Sequence, residues 1–140
     1  MPKKPGKYVP GGYKLKVKRS SAGLGLFAEE DIPKGKCVIE YTGRVISKEE
    51  EYTSRSQYLF EINNRKTIDG SARTNTARYI NFSHRPNCES EIHDACVFIF
   101  SKRNIKAGEE LSYDYGKEFF DEHIKPKGCK CPKCLEAKAA

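Results

Sequence analysis

The residues most able to carry chemistry lie in the segment 78–88 and in the later run Tyr113-Asp114-Tyr115. Turn chemistry accounts for Pro86 and for the asparagines of the first segment. It does not account for the two tyrosines, whose two-residue spacing puts both phenols on one face of a strand. Two hydroxyls on one wall suit a site for a polar, nearly cationic group. Taken alone, the pair also fits a core position on a β-strand, so the other motifs must decide.

The net charge of +7 comes from the N-terminal end of the chain. Residues 1–19 hold seven basic side chains and no acidic one, whereas the remaining 19 basic side chains balance 19 acidic ones. A basic N-terminal segment of this kind can steer the chain towards nucleic acid or an acidic partner. It is also compatible with a solvated tail that has no partner. Both interpretations stay open. Residues 1–13, rich in Pro, Gly and Lys, are predicted to be a flexible lead-in.

Length and composition predict one soluble, intracellular domain. The chain has 140 residues, of which 37% are hydrophobic, enough for one compact core. No apolar run approaches the roughly 20 residues that cross a bilayer. The first residues are polar and basic, unlike a signal peptide. We therefore expect no membrane association.

Three of the six cysteines lie close together near the C-terminus: Cys129, Cys131 and Cys134. In an intracellular chain this spacing indicates metal binding rather than a disulfide. Cys37 and Cys96 lie in apolar runs and are predicted to be small core residues.

The elements that must position these residues are mostly short strands. Strands are predicted at residues 14–19, 26–28, 37–41, 58–62, 67–68, 96–100 and 111–115, and turns at 20–25, 32–35 and 106–108. Ser47 and Glu50 predict a capping box that starts a helix over about 48–54. Residues 74–79 favour one helical turn or two. Short strands, frequent turns and little helix predict a mostly β domain.

Seven elements follow one another in an order that chance explains poorly. They are residues 21–27 with Gly23-Leu24-Gly25, Glu40-Tyr41-Thr42-Gly43, Tyr58-Leu59-Phe60, Ile68-Asp69, residues 78–88, residues 108–115 and the cysteine cluster. Each is weak alone, since a Gly-x-Gly is usually a turn. Together, over about residues 15–135, they resemble the SET-domain protein lysine methyltransferases with their short post-SET cysteine cluster. The resemblance implies a SET-domain fold of several small curved sheets with few short helices. It also implies a C-terminal pseudoknot, in which the final strand threads beneath the Asn81 loop.

The resemblance also implies the site residues. A pocket for S-adenosylmethionine is implied at Ala22, Gly23, Leu24, Tyr58, Asn81 and Phe82. Tyr115 corresponds to the catalytic tyrosine, and Tyr41 and Tyr113 to the walls of a narrow lysine channel. Phe82 replaces the family's His, which we expect to matter little because the family uses mainly the backbone there.

His84 stands where the family has a zinc-binding Cys, and the last gap of the cysteine cluster is shorter than usual. The resemblance implies one structural Zn²⁺, and imidazole can replace thiolate in a tetrahedral zinc site. A site made of His84, Cys129, Cys131 and Cys134 is the preferred interpretation. Cys88 as the fourth ligand, or no metal at all, are the alternatives.

Methyl transfer to an amine makes demands that these residues can meet. The nucleophile, the methyl carbon and the leaving sulfur must lie in line, which is a positioning problem. The amine must also be neutral, and a dry aromatic channel lowers the pKa of a lysine from its usual ~10.4. In the family, a Tyr at the position of Tyr113 tends to restrict the product to monomethyl-lysine. We therefore expect mainly monomethylation.

The sequence thus predicts an S-adenosylmethionine-dependent protein-lysine N-methyltransferase, with a basic flexible arm at 1–13, a SET domain at 14–116 and a post-SET segment at 117–140. The substrate is a lysine-containing protein, such as a histone or another basic protein, and any nucleic-acid contact is weak and runs through the arm. The location is cytoplasmic for a prokaryotic source and nuclear or chromatin-associated for a eukaryotic one. Two alternatives remain: a non-catalytic zinc-knuckle β module that binds nucleic acid through the arm, and a degenerate SET fold without turnover.

Overall fold

The chain folds into short strands with little helix. The computed structural model describes residues 7–21, 23–54, 56 and 58–114. The elements in chain order are β1 Leu15–Ser20, β2 Gly23–Ala28, β3 Cys37–Tyr41, β4 Arg44–Ser47, α1 Lys48–Thr53, β5 Leu59–Glu61, β6 Lys66–Asp69, a 3-10 helix Thr76–Tyr79, β7 Asn81–Phe82, β8 Cys88–His93, β9 Cys96–Ser101 and β10 Ser112–Tyr113. The predicted mostly β class, with several small sheets and few short helices, is confirmed. None of the helices in these residues has the length and apolar character needed to cross a bilayer.

The described strands form four small sheets. β1 pairs with β2, and two three-stranded sheets have the orders β3-β9-β8 and β4-β6-β5, all antiparallel. The fourth sheet is the parallel pair of β7 and β10, in the register Ser112 with Asn81 and Tyr113 with Phe82. This pairing brings the last described strand beside the asparagine loop, as the predicted pseudoknot requires.

One main core joins these small sheets. Several of its fully buried members come from β2, β9 and the segments that precede β7 and β10, namely Leu26, Ile80, Val97, Ile99 and Leu111. Because the alternate residues of each strand face this core, the backbone directions of β2, β7 and β10 are fixed relative to one another. The core therefore positions the strands that carry the predicted site residues.

Most predicted elements are confirmed, and the differences concern β2, β4, β7 and β8. β1 ends at Ser20 and β2 begins at Gly23, so four of the six residues of the predicted turn over 20–25 lie in strands. β4 and β7 were missed because only Ile46 of β4 is buried and β7 is two residues long. β8 was missed because it is an edge strand whose polar residues give no apolar pattern.

The start of α1 shows half of the predicted capping box. The Ser47 hydroxyl accepts a hydrogen bond from the Glu50 backbone N–H at 3.2 Å, as an N-cap residue does. The Glu50 carboxylate does not return to the cap and instead pairs with Arg44 on β4. The helix is therefore fixed to the neighbouring strand as well as capped.

Residues 7–13, predicted to belong to the flexible lead-in, contact the β3-β9-β8 sheet. The Tyr8 ring stacks on His93 with centroids 4.0 Å apart and packs against Phe98 and Phe100. Lys7 pairs with Glu91 at 3.1 Å. The segment forms no helix or strand, but these contacts attach it to the domain.

Candidate functional site

The side-chain amide of Asn81 joins three parts of the chain. Its Nδ2 lies 3.1 Å from the Ser20 hydroxyl, 2.9 Å from the Leu24 carbonyl and 2.9 Å from the Glu110 carboxylate. The Leu24 carbonyl and the Glu110 carboxylate can only accept, so the atom that meets both is the amide nitrogen, and its two hydrogens suffice for them. Asn81 therefore ties the β1–β2 hairpin and the segment before β10 to β7. We call this group the Asn81 junction: Ser20, Leu24, Gly25, Asn81 and Glu110.

Two glycines on β2 shape the junction. Gly23 has φ of +103°, a left-handed conformation that favours glycine. At Gly25 an added Cβ would overlap the Glu110 carboxylate and lie 3.1 Å from the Ser20 Cβ. The missing side chain at Gly25 thus lets the carboxylate reach across β2 to Asn81. The predicted cofactor residues Gly23 and Leu24 lie on this strand, and Ala22 lies outside the described residues.

Tyr41 is buried, with 4% of its surface exposed, and its hydroxyl donates to the Tyr58 carbonyl at 2.8 Å. Its ring lies so close to Gly70 that a Cβ there would overlap it. Burial raises the pKa of the Tyr41 phenol above its usual value, and the nearby Asp69 and Tyr58 add to the rise. Two predicted site residues, Tyr41 and Tyr58, are therefore in direct contact, with the Tyr41 phenol neutral at physiological pH.

Arg78 packs against the ring of Tyr58. Its guanidinium carbon lies 4.2 Å from the centre of the Tyr58 ring and 5.2 Å from that of Tyr79. Its Nη1 is 3.3 Å from the Tyr79 hydroxyl. A cation over an aromatic face is attracted by the ring electrons, so Arg78 holds the Tyr58 ring in place.

Phe82 and Tyr113 face each other across the parallel pair of β7 and β10, and both are buried. The Ser83 backbone N–H donates to the Tyr113 carbonyl at 3.3 Å, which extends the pairing by one residue. The two predicted site residues are thus brought together. Tyr115, the predicted catalytic tyrosine, lies outside the described residues.

Asn87 holds the chain just before Tyr113. This residue is buried, and its Nδ2 donates to the Glu110 carbonyl at 2.8 Å while its Oδ1 accepts from the Ser112 N–H at 2.9 Å. One amide side chain therefore takes the place of a neighbouring strand for the segment that leads into β10. Sequence reasoning missed Asn87 and Glu110, because neither has a signal apart from the fold that brings 81–87 and 110–112 together.

The predicted metal ligands are only partly described. His84 is exposed, and its ring meets the Phe82 ring edge-on with centroids 4.7 Å apart. Cys88 is fully buried in the main core, and burial raises the pKa of its thiol to about 12. Cys129, Cys131 and Cys134 lie outside the described residues. Within the described residues no three His, Cys, Asp or Glu side chains form a group that could hold a metal ion.

Comparisons with known proteins identify the family. Residues 23–116 match the SET domain. The histone-lysine N-methyltransferase trr of Drosophila melanogaster is 42% identical over 125 residues, which are 80% of this chain and 5% of the relative. The histone-lysine N-methyltransferase 2D of Homo sapiens is 41% identical over 115 residues, which are 74% of this chain and 2% of the relative. The histone-lysine N-methyltransferase set1 of Dictyostelium discoideum is 38% identical over 137 residues, which are 88% of this chain and 9% of the relative.

The chain spans a small part of these relatives, between 2% and 9% of their lengths. The family match nevertheless covers well over half of this chain and includes β2, β7 and β10. The predicted resemblance is confirmed, and the chain belongs to the SET-domain family.

Proposed function

We propose that this chain transfers a methyl group from S-adenosylmethionine to the side-chain amine of a lysine in a protein substrate. The Asn81 junction is the observation that carries the proposal. It joins the Gly-x-Gly strand to the asparagine loop, beside the strand that leads into the Tyr-Asp-Tyr. The family match and the names of the relatives support the same activity.

The residues around the junction fit the cofactor by their chemistry. S-Adenosylmethionine carries a cationic sulfonium and an ammonium, and it supplies an electrophilic methyl group. The Leu24 carbonyl and the Asn81 amide offer oxygen atoms to such a group, and Gly23 removes a side chain from its approach. The full proposed cofactor set is Ala22, Gly23, Leu24, Tyr58, Asn81 and Phe82.

Tyr41, Tyr113 and Tyr115 are proposed to line the lysine channel, with Tyr115 as the catalytic tyrosine. Buried aromatic walls disfavour an ammonium and so favour the neutral amine that the reaction needs. Tyr41 cannot act as a base at neutral pH, because its phenol donates to the Tyr58 carbonyl and burial raises its pKa. We propose that the proton of the amine leaves through water.

Tyr113 is proposed to limit the product mainly to monomethyl-lysine. Its side chain is buried beside Phe82, where the phenol oxygen takes space that a further methyl group needs. Tyr113→Phe is expected to raise the share of dimethyl-lysine, measured by mass spectrometry of the substrate. An unchanged product distribution would reject this role.

The substrate is proposed to be a histone or another basic protein. The relatives at 38–42% identity are named histone-lysine N-methyltransferases, and all three come from eukaryotes. A nuclear or chromatin-associated location follows for a eukaryotic source.

A structural zinc site is proposed at His84, Cys129, Cys131 and Cys134, the cysteines belonging to a post-SET segment at 117–140. The exposure of His84 and the burial of Cys88 favour His84 as the fourth ligand, since Cys88 packs in the core. His84→Ala is expected to lower the zinc content of the purified chain, measured by atomic emission, and Cys88→Ala to leave it unchanged. Zinc loss in Cys88→Ala alone would assign the ligand to Cys88.

Incubation with radiolabelled S-adenosylmethionine and either core histones or a cell lysate tests the activity. We expect labelled lysine, and a loss of about 100-fold or more in Tyr115→Phe, the scale of removing one preorganised polar contact. Tyr52→Phe is the matched control, because Tyr52 is 91% exposed on α1. Absence of transfer together with salt-dependent DNA binding would instead support the non-catalytic module.

A further inference from the structure

Glu110 contacts the proposed cofactor residues but is not among them. Its Oε2 accepts from the Asn81 Nδ2 at 2.9 Å, and its carboxylate lies over Gly25, where a Cβ would overlap it. The side chain is half-buried. A carboxylate in this position makes a charge-assisted hydrogen bond, which is stronger than the bonds that Ser20 and Leu24 offer the same amide.

The backbone of Glu110 is fixed from two sides. On one side it forms a β-bridge with Phe27, and the next residue, Leu111, donates its N–H to the Leu26 carbonyl at 2.8 Å. On the other side the Glu110 carbonyl accepts from the Asn87 Nδ2 at 2.8 Å. The carboxylate is therefore directed at Asn81 before any ligand binds.

The acceptors around the Asn81 Nδ2 decide which way its amide faces. Ser20, Leu24 and Glu110 all present oxygens to the same atom. A flip of the amide would place Oδ1 against the Leu24 carbonyl and the Glu110 carboxylate, neither of which can donate. The negative charge of Glu110 makes that flip most unfavourable. Among the described residues no hydrogen bond is made to Oδ1, which stays on the opposite side as a free acceptor.

We propose that Glu110 is a positioning residue that fixes the amide of Asn81, so that Oδ1 is presented as an acceptor to the cationic end of S-adenosylmethionine. The proposal rests on the proposed function, because it names the ligand of that same site. Glu110 acts through Asn81 and does not itself take part in the transfer. Its role is to keep the acceptor oriented in the ligand-free protein.

Calorimetry with S-adenosylmethionine tests this role. Glu110→Ala is expected to weaken binding about tenfold, and Glu110→Gln, which keeps an acceptor without the charge, to restore part of the loss. Glu109→Ala is the matched control, since its side chain pairs with Arg103 away from the junction. Unfolding midpoints of all variants separate a loss of binding from a loss of folding, and Glu110→Gln keeps the shape if Glu110→Ala does not fold.

A double-variant comparison separates a positioning role from a merely structural one. If Glu110 acts through Asn81, Asn81→Ala and Asn81→Ala/Glu110→Ala bind the cofactor equally, because the second change has nothing left to orient. Additive losses would overturn the proposal. In the ligand-free protein, the Asn81 side-chain amide signals are expected to shift in Glu110→Gln by NMR, and unchanged signals would also overturn it.

Binding measurements distinguish a wrong role for Glu110 from a wrong function for the chain. If the unmodified chain binds S-adenosylmethionine and Glu110→Ala binds it equally well, only the role of Glu110 is wrong. If the unmodified chain shows no binding, the proposed function fails, and the role of Glu110 fails with it.

Discussion

The β7–β10 pair and the β3-β9-β8 sheet are held together in different ways. β8 and β9 are six residues each, paired along their full length, and the sheet packs Cys37, Phe98 and Phe100 in a cluster of its own. β7 and β10 are two residues each. Strands that short cannot stabilise themselves. Side-chain amides supply the missing hydrogen bonds, with Asn81 and Asn87 on either side of Glu110.

This difference explains the asparagines of segment 78–88. Turn chemistry alone does not require Asn81 and Asn87, but a parallel pair of two-residue strands needs hydrogen bonds from side chains. Asn81 donates to the neighbouring segments, and Asn87 both donates and accepts. Substitutions in the junction should therefore affect both stability and cofactor binding. Substitutions around the cluster of Cys37, Phe98 and Phe100 in the β3-β9-β8 sheet should affect stability alone.

Asn87→Ala should have the largest effect on stability. It removes two hydrogen bonds from a buried amide and leaves the Ser112 N–H and the Glu110 carbonyl without partners. We expect the free energy of unfolding to fall by about 3 kcal/mol, measured by urea denaturation. Asn63→Ala is the control, since the Asn63 side chain also makes two hydrogen bonds to the backbone, but in an exposed hairpin turn where water can replace it. Equal losses in both variants would contradict the distinction.

Gly25→Ala should have the next largest effect. The new Cβ would overlap the Glu110 carboxylate and crowd Ser20, so the junction must shift. We expect a loss of about 2 kcal/mol in the free energy of unfolding, together with weaker binding of S-adenosylmethionine. In a chain that already carries Glu110→Ala, the Gly25→Ala change should lower the free energy of unfolding much less, because the overlapping carboxylate is gone. A full loss in that background would show that the crowding lies elsewhere.

Tyr8→Ala should destabilise the sheet region by about 1 kcal/mol, the scale of an aromatic pair. The Tyr8 ring stacks on His93 and packs on Phe98 and Phe100. Cofactor affinity should not change, because these contacts are on the β3-β9-β8 sheet. Tyr52→Ala, at a position 91% exposed, is the matched control and should leave the unfolding midpoint unchanged. A change in cofactor affinity for Tyr8→Ala would break the separation of the two regions.

The smallest expected effect is a loss of stability in alkaline solution from Cys37. Burial first, and then Glu40 and Glu91, raise the pKa of its thiol from 9.0 to about 11 in the folded protein. Between these two values the unfolded chain ionises and the folded chain does not, so stability falls as pH rises above 9. Urea denaturation at pH 8 and pH 10 measures this effect. The free energy of unfolding of Cys37→Ala should fall less between the two pH values than that of the unmodified chain, with Cys96→Ala as the control. Equal slopes in Cys37→Ala and the unmodified chain would contradict this cause.

In the β3-β9-β8 sheet, the strands with an apolar run could be predicted from the sequence. β3 and β9 were predicted to within one residue because β3 begins with the apolar run Cys37-Val38-Ile39 and β9 is apolar from Cys96 to Phe100. β8 was not, since an edge strand buries little on either face and Ile92 is its only large apolar residue. Pairing partners, unlike strands, depend on how distant segments cross, and only the resemblance indicated that the last strand meets the asparagine loop.

The candidate site was predictable in its residues but not in its contacts. Asn81, Leu24 and Tyr58 were named from the resemblance, whereas Glu110 has no pattern that marks it. Gly25 was predicted to be part of a turn, because a missing side chain more often indicates a turn than a close approach. Its role became visible only once the fold brought residues 25 and 110 together.

The central claim is that β2, β7 and the segment leading into β10 form one cofactor site. Titration of the isotope-labelled chain with S-adenosylmethionine, followed by backbone amide NMR, tests it most directly. We expect the largest shifts to occur together in residues 23–25, 81–82 and 110–113, with little change in residues 7–13 and β8. Absence of shifts, or shifts confined to residues outside these three segments, would contradict it.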